Sequence, residues 1–156
     1  MITLYDCAQN ENITNTINTE NNVCQESISS DNSSQDRYLD RNSRIGFLNV
    51  CGLKSRMKYE EFTQLIEQYP IFCVAETKLD QFDIINLENY KFFSKPRTEK
   101  YRRKSGGLGF FVHSSLIDDC VILDSNCEYV YWLKMKMCIN GNDENLVIGC
   151  MYIPPE

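Results

Sequence analysis

The sequence predicts an α/β domain with a mixed, largely antiparallel sheet, preceded by a polar leader. Three observations lead there. Two continuous apolar runs, Ile45 to Val50 and Ile71 to Ala75, flank an amphipathic stretch, the pattern of a strand–helix–strand unit. Five further strand-like runs follow, joined by short or polar connections. The first 43 residues differ in kind: Asn, Ser and Thr occupy 18 of them.

That leader, residues 1–43, has few large apolar residues and no sustained period. It buries too little surface to offset its ordering entropy, so we expect a disordered segment or non-native sequence joined at an imperfect gene boundary. It holds seven acids and two bases, whereas residues 44–156 hold fifteen acids and fourteen bases. The formal charge of −6 therefore says little about partners of the folded part. Order is expected from about Arg44. Ile45 to Val50 reads as a buried strand, and Cys51-Gly52-Leu53 leaves it. Residues 58–69 read as a helix, with Phe62, Leu65, Ile66 and Tyr69 on one face, Glu60 and Glu61 in the first turn, and Pro70 as the stop. Ile71 to Ala75 is the second strand of a parallel pair with a right-handed crossover. Tyr90 to Phe93, Gly107 to Val112, Cys120 to Leu123, Tyr129 to Met137 and Leu146 to Ile153 follow as strands, with Asn140-Gly141 as a hairpin turn. Trp132 is expected in the core, and Asp118-Asp119 in a turn.

Composition excludes several classes. The chain has 156 residues, 42% hydrophobic and 24% charged, which suits one modest domain. No apolar run approaches the roughly 18 residues of a membrane span, so no membrane partner is expected. Met1 to Asn10 lacks the basic and apolar regions of a secretory signal. Eight cysteines contain no C-x-x-C pair, and only one histidine is present, so neither a disulfide framework nor a zinc site is indicated. Reduced cysteines in an intracellular protein, nuclear or cytoplasmic, are expected.

Asn49 and Glu76 terminate the two parallel strands on the same sheet edge, where ligands bind in open α/β sheets. One carboxylate and one amide oxygen converging there suit a hard cation such as Mg²⁺. The plainer alternative is a solvated strand-end Glu and a turn Asn. Residues 91–104 hold seven bases (Lys91, Lys95, Arg97, Lys100, Arg102, Arg103 and Lys104) against one acid, interleaved with Phe92, Phe93 and Tyr101. Such a stretch can neutralise phosphates while its aromatics stack on bases, or it is a solvated basic loop. Gly106-Gly107-Leu108-Gly109 matches no phosphate-binding loop, and His113 has no carboxylate beside it in the pattern.

The segments IGFLNVCGL (45–53), IFCVAETKLD (71–80), SGGLGFFVHSSL (105–116) and NLVIGCMYIPPE (145–156), with YVYWLKM (129–135) between the last two, occur in an order that resembles the endonuclease/exonuclease/phosphatase superfamily. The likeness is nearest to the apurinic-type endonuclease domain of non-LTR retrotransposons. It covers residues 44–156 and implies a DNase-like sandwich of two packed mixed sheets flanked by helices. It implies Mg²⁺-dependent hydrolysis of a phosphodiester in DNA, with a reverse transcriptase fused to the domain in the full-length element. Asn49 and Glu76 match the family's metal-site residues, Lys78 the Lys that orients that site, and Tyr152 the Tyr that contacts the scissile phosphate. Cys51 departs from apurinic repair enzymes, which carry Asp there. The family's D-x-N and Ser-Asp-His elements are not found in the matching positions. The resemblance therefore implies the N-terminal part of the domain, weak or inactive by itself, with one sheet largely present and its partner missing. The alternatives are a non-catalytic nucleic-acid-binding remnant and a phosphatase of the same fold.

Overall fold

The structure is a computed structural model that describes residues 3–5, 44–97, 105–123, 125–139 and 142–153. Its strands are β1 (Thr3–Tyr5), β2 (Ile45–Asn49), β3 (Ile71–Ala75), β4 (Tyr90–Lys95), β5 (Leu108–His113), β6 (Cys120–Leu123), β7 (Val130–Ile139) and β8 (Asn142–Met151). Helices α1 (Leu53–Arg56) and α2 (Glu60–Glu67) lie between β2 and β3, and a 3-10 helix, Ser114–Asp119, follows β5. Two four-stranded sheets result, with orders β2-β3-β5-β4 and β1-β8-β7-β6. β2 and β3 are parallel, with Asn49 beside Ala75, and every other pair is antiparallel.

The first sheet is covered on both faces, which explains its continuous apolar runs. All five residues of β3 are buried. Ile71, Cys73 and Ala75 point into a core shared with Leu133, Met135, Ile148 and Cys150 of the second sheet. Phe72 and Val74 point the other way, onto Leu53 of α1 and Phe62 and Ile66 of α2. β5 divides in the same manner, with Phe110 toward the second sheet and Phe111 toward the helices. The second sheet shows the alternation of a half-covered surface. In β7, Tyr131, Leu133 and Met135 are buried, while Lys134 and Lys136 are exposed.

Two packed sheets replace the expectation of one sheet with its partner missing, because β6, β7 and β8 alone suffice to cover the inner face of β3 and β5. The helical region begins earlier than expected, with the single turn α1, and α2 is shorter, ending at Glu67. β8 starts at Asn142 and not at Leu146. Its first four residues are exposed and are held by the ladder with β7, from Ile139↔Asn142 onward, so hydropathy does not mark them. That register leaves the expected Asn140-Gly141 turn between the strands, although both residues lie outside the described ones. Trp132 is half-buried and not in the core; its ring lies on Gly149, where an added Cβ would come within 2.5 Å. β1 falls within the segment read as a leader and pairs with β8, Leu4 opposite Ile148. The rest of residues 1–43, and the reading of them as disordered, lie outside the described residues. Cys51, Cys73, Cys120, Cys127 and Cys150 are free thiols. No helix among the described residues is long and apolar enough to cross a membrane.

Candidate active site

The site forms where the parallel strands end. Beyond the ladder the two loops stay tied together. Val50 N–H donates to Ala75 O at 2.9 Å, Gly52 N–H to Glu76 O at 2.8 Å, and Leu53 N–H to Thr77 O at 2.9 Å. On the other side, Thr77 and Lys78 N–H donate to the carbonyls of Gly107 and Gly106 at 3.2 and 2.8 Å. Three chain segments thus converge on residues 76–78. Of the seven positive-φ residues among the described ones, six lie here: Cys51, Gly52, Glu76, Lys78, Gly106 and Gly107. The glycines take such angles freely, but at Cys51, Glu76 and Lys78 they are strained, and such strain persists only where surrounding structure enforces it and gathers at functional sites. Gly107 is required twice over, by its φ of +86° and because an added Cβ would lie 2.4 Å from Thr77 Oγ1.

Four of the expected site residues come together. Lys78 Nζ lies 3.7 Å from Glu76 Oε2 and donates to Cys51 Sγ at 3.1 Å. The Glu76 carboxylate beside the Tyr152 hydroxyl raises the tyrosine pKa, as an acceptor for its proton first; burial and the negative charge of Glu76 add to the rise, and Arg97 opposes it. Tyr152 N–H is anchored on Tyr129 O at 3.0 Å. The Lys78 pKa is raised first by its contact with Cys51, against an opposing effect of burial, and Glu76 adds to the rise. Asn49 Oδ1 accepts from Cys51 N–H at 3.2 Å, an Asx-type turn that holds the amide at the strand end. Glu76 and Asn49 therefore offer a carboxylate and an amide oxygen on adjacent strand ends. Among the described residues, no group of three His, Cys, Asp or Glu side chains is poised to hold a metal.

The three described bases of the basic cluster have different surroundings. Arg97 borders the site, with its guanidinium 5.4 Å from the Tyr129 ring centroid, hydrogen-bonded to the Tyr129 hydroxyl at 3.4 Å and 3.7 Å from Glu128. Lys95 serves the fold instead. Its ammonium donates to Ser125 O, Ser125 Oγ and Val130 O at 2.7, 3.1 and 3.1 Å, so it is not free for a phosphate. Lys91 sits toward the other end of β4, over the Phe93 ring. Lys100, Arg102, Arg103 and Lys104 lie outside the described residues. His113 is at the far end of β5, bonded to Ser115 and stacked edge-on against Tyr90, with no role at this edge. Sequence reasoning missed Tyr129 and Glu128, the partners of Arg97. They lie 32 and 31 residues away in the chain, and no local pattern links them to it.

The chain matches no protein-family model, and no curated protein aligns with it.

Proposed function

We propose that this edge is the phosphate-binding part of a metal-assisted phosphodiester hydrolase site of the endonuclease/exonuclease/phosphatase type, with DNA as substrate. The observation that carries the reading is the convergence of Asn49, Glu76, Lys78 and Tyr152 at the ends of β2, β3 and β8, the four positions that the sequence resemblance assigns to chemistry. The DNase-like form of the fold is supported by the two packed sheets with helices on one flank.

Glu76 and Asn49 would hold Mg²⁺, a hard cation that accepts one or two carboxylates and keeps several waters. When bound, it supplies charge stabilisation at a phosphate oxygen. The chain's own groups do the remainder. Tyr152 has one hydroxyl proton and would turn it from the Glu76 carboxylate to a phosphate oxygen when the substrate binds. Lys78 fixes the rotamer of Glu76 and balances its charge. Arg97, on Tyr129, offers a guanidinium to an adjoining phosphate. Among the described residues, no imidazole stands at this edge to activate water, and that function contributes about 10²–10⁴-fold to rate. The described site is thus built for binding more than for turnover.

The test is Mg²⁺ titration by calorimetry together with a plasmid-nicking assay. We expect weak Mg²⁺ binding that Glu76→Gln abolishes, and negligible nicking. Robust Mg²⁺-dependent nicking insensitive to Glu76→Gln would overturn the placement of the site. DNA binding that is unchanged by EDTA and by Glu76→Gln would favour the second reading, nucleic-acid binding without hydrolysis through the basic segment.

A further inference from the structure

We propose that Cys73 and Cys150 form a latent redox pair whose oxidation closes a disulfide between the two sheets. The inference is independent of the hydrolase reading. Cys73 lies in β3 of the first sheet and Cys150 in β8 of the second, and they are 1% and 2% exposed. Both belong to the one buried cluster between the sheets, and the nearness of the Cys150 thiol raises the Cys73 pKa. Cys150 Sγ also donates to the carbonyl of Val74, the residue after Cys73, at 3.6 Å. The rows beside them confirm the alignment. Cys73 is opposite Phe110 in its sheet and Cys150 opposite Tyr131 in the other, and the Phe110 and Tyr131 rings meet with centroids 5.4 Å apart. Facing register rows therefore set the two cysteines across the core from each other, with the Cys150 sulfur against the β3 backbone next to Cys73 and packed rings on their flank.

A buried cysteine ordinarily acts as a small hydrophobe, and one alone would carry no inference. Two in mutual contact on different sheets have a further chemistry. Each thiol gives up one proton and one electron, the S–S bond forms, and a small disulfide such as oxidised glutathione is reduced to two thiols by way of a mixed disulfide. The Cys150 contact, with burial, raises the Cys73 pKa, so the thiolate needed for attack is scarce in the closed fold. Exchange therefore requires opening of the sandwich. The link would also tie the two strands that carry the site, since Glu76 lies three residues after Cys73 and Tyr152 two after Cys150.

The experiment equilibrates the full chain with oxidised glutathione in mild denaturant, removes both, and maps peptides without reduction. We expect a Cys73–Cys150 linked species two hydrogens lighter than the separate peptides, and a Tm at least about 5 °C above the reduced chain, because a long loop is closed in the unfolded state. Dithiothreitol should reverse both, and Cys150→Ala should abolish both. A link confined to other cysteines, no link, or a Tm of the linked form at or below that of the reduced chain would overturn the proposal. If Cys150→Ala fails to fold, the oxidised and reduced wild-type chains decide by themselves.

Discussion

Replacing Gly107 with Ala tests whether the strained loop network shapes the site. At φ +86° an L-residue carries a cost of about 1–3 kcal/mol. Its Cβ would also lie 2.4 Å from Thr77 Oγ1, and crowding of a packed interior adds about 1–3 kcal/mol. The sum, about 2–6 kcal/mol, is a large part of the roughly 5–15 kcal/mol that stabilises a domain. With a urea slope of about 1–3 kcal/mol/M, the unfolding midpoint should fall by roughly 1–2 M. The steric share can be separated from the backbone share. Thr77 Oγ1 is buried and finds no hydrogen-bond partner among the described residues, so Thr77→Ala sacrifices no hydrogen bond there. In the double variant the crowding disappears while the backbone cost stays. We expect a coupling of about 1–2 kcal/mol in the relieving direction. Additive effects, or a loss below about 0.5 kcal/mol for Gly107→Ala, would refute the account of Gly107 and Thr77 as a tight contact.

Alkaline difference absorbance, comparing wild type with Tyr152→Phe, should show Tyr152 ionising later than an ordinary tyrosine, and Glu76→Gln should lower that pKa. Because the folded pKa is raised, the hydrogen bond's contribution to stability is complete below the ordinary tyrosine range and is lost as pH rises through the Tyr152 pKa. Arg97→Gln should flatten the salt dependence of DNA binding by about one unit of log–log slope, measured by fluorescence anisotropy. Lys95→Met should leave that slope unchanged and lower stability in urea by about 1–3 kcal/mol, since buried acceptors lose their donor. Leu133→Ala, emptying a fully buried position between the sheets, should cost about 2–5 kcal/mol by calorimetry.

The sequence made the first sheet legible because it is buried on both faces. β3 and β5 are unbroken apolar runs, and the amphipathic α2 lies between β2 and β3. The strand-end positions of Asn49 and Glu76 followed from the parallel pair alone. Less was legible where pairing and not burial holds a segment. The polar start of β8 and the three-residue β1 have no hydropathy signature, and β1 appears only because β8 has an edge to fill. Charge counting failed at Lys95 for a similar reason. Seven bases in 14 positions suggest one polyanion surface, but β4 runs from Lys91 at one end to Lys95 at the other, where carbonyls of the 125–130 segment take up its ammonium. The Arg97–Tyr129 contact joins segments that only the packing of two sheets brings together.

The backbone at residues 76–79 shows how a strand end becomes a site. Burial alternates: Thr77 and Leu79 are buried, while Glu76 and Lys78 are partly open, so both charged side chains share one mouth. Glu76 and Lys78 leave the β region for φ values of +57° and +53°, which costs each about 1–2 kcal/mol. That departure takes their peptide groups out of the ladder and gives them new partners. Glu76 and Thr77 carbonyls accept from Gly52 and Leu53, and Thr77 and Lys78 N–H groups donate to Gly107 and Gly106. Four hydrogen bonds to buried or half-buried backbone, each worth about 0.5–1.5 kcal/mol net, balance two strained residues. The backbone therefore brings the carboxylate to the edge, where Lys78 and Tyr152 meet it. It follows that a charge change at Glu76 should alter what the edge binds with little effect on folding, whereas a backbone change at Gly107, which bears no functional group, should disturb both.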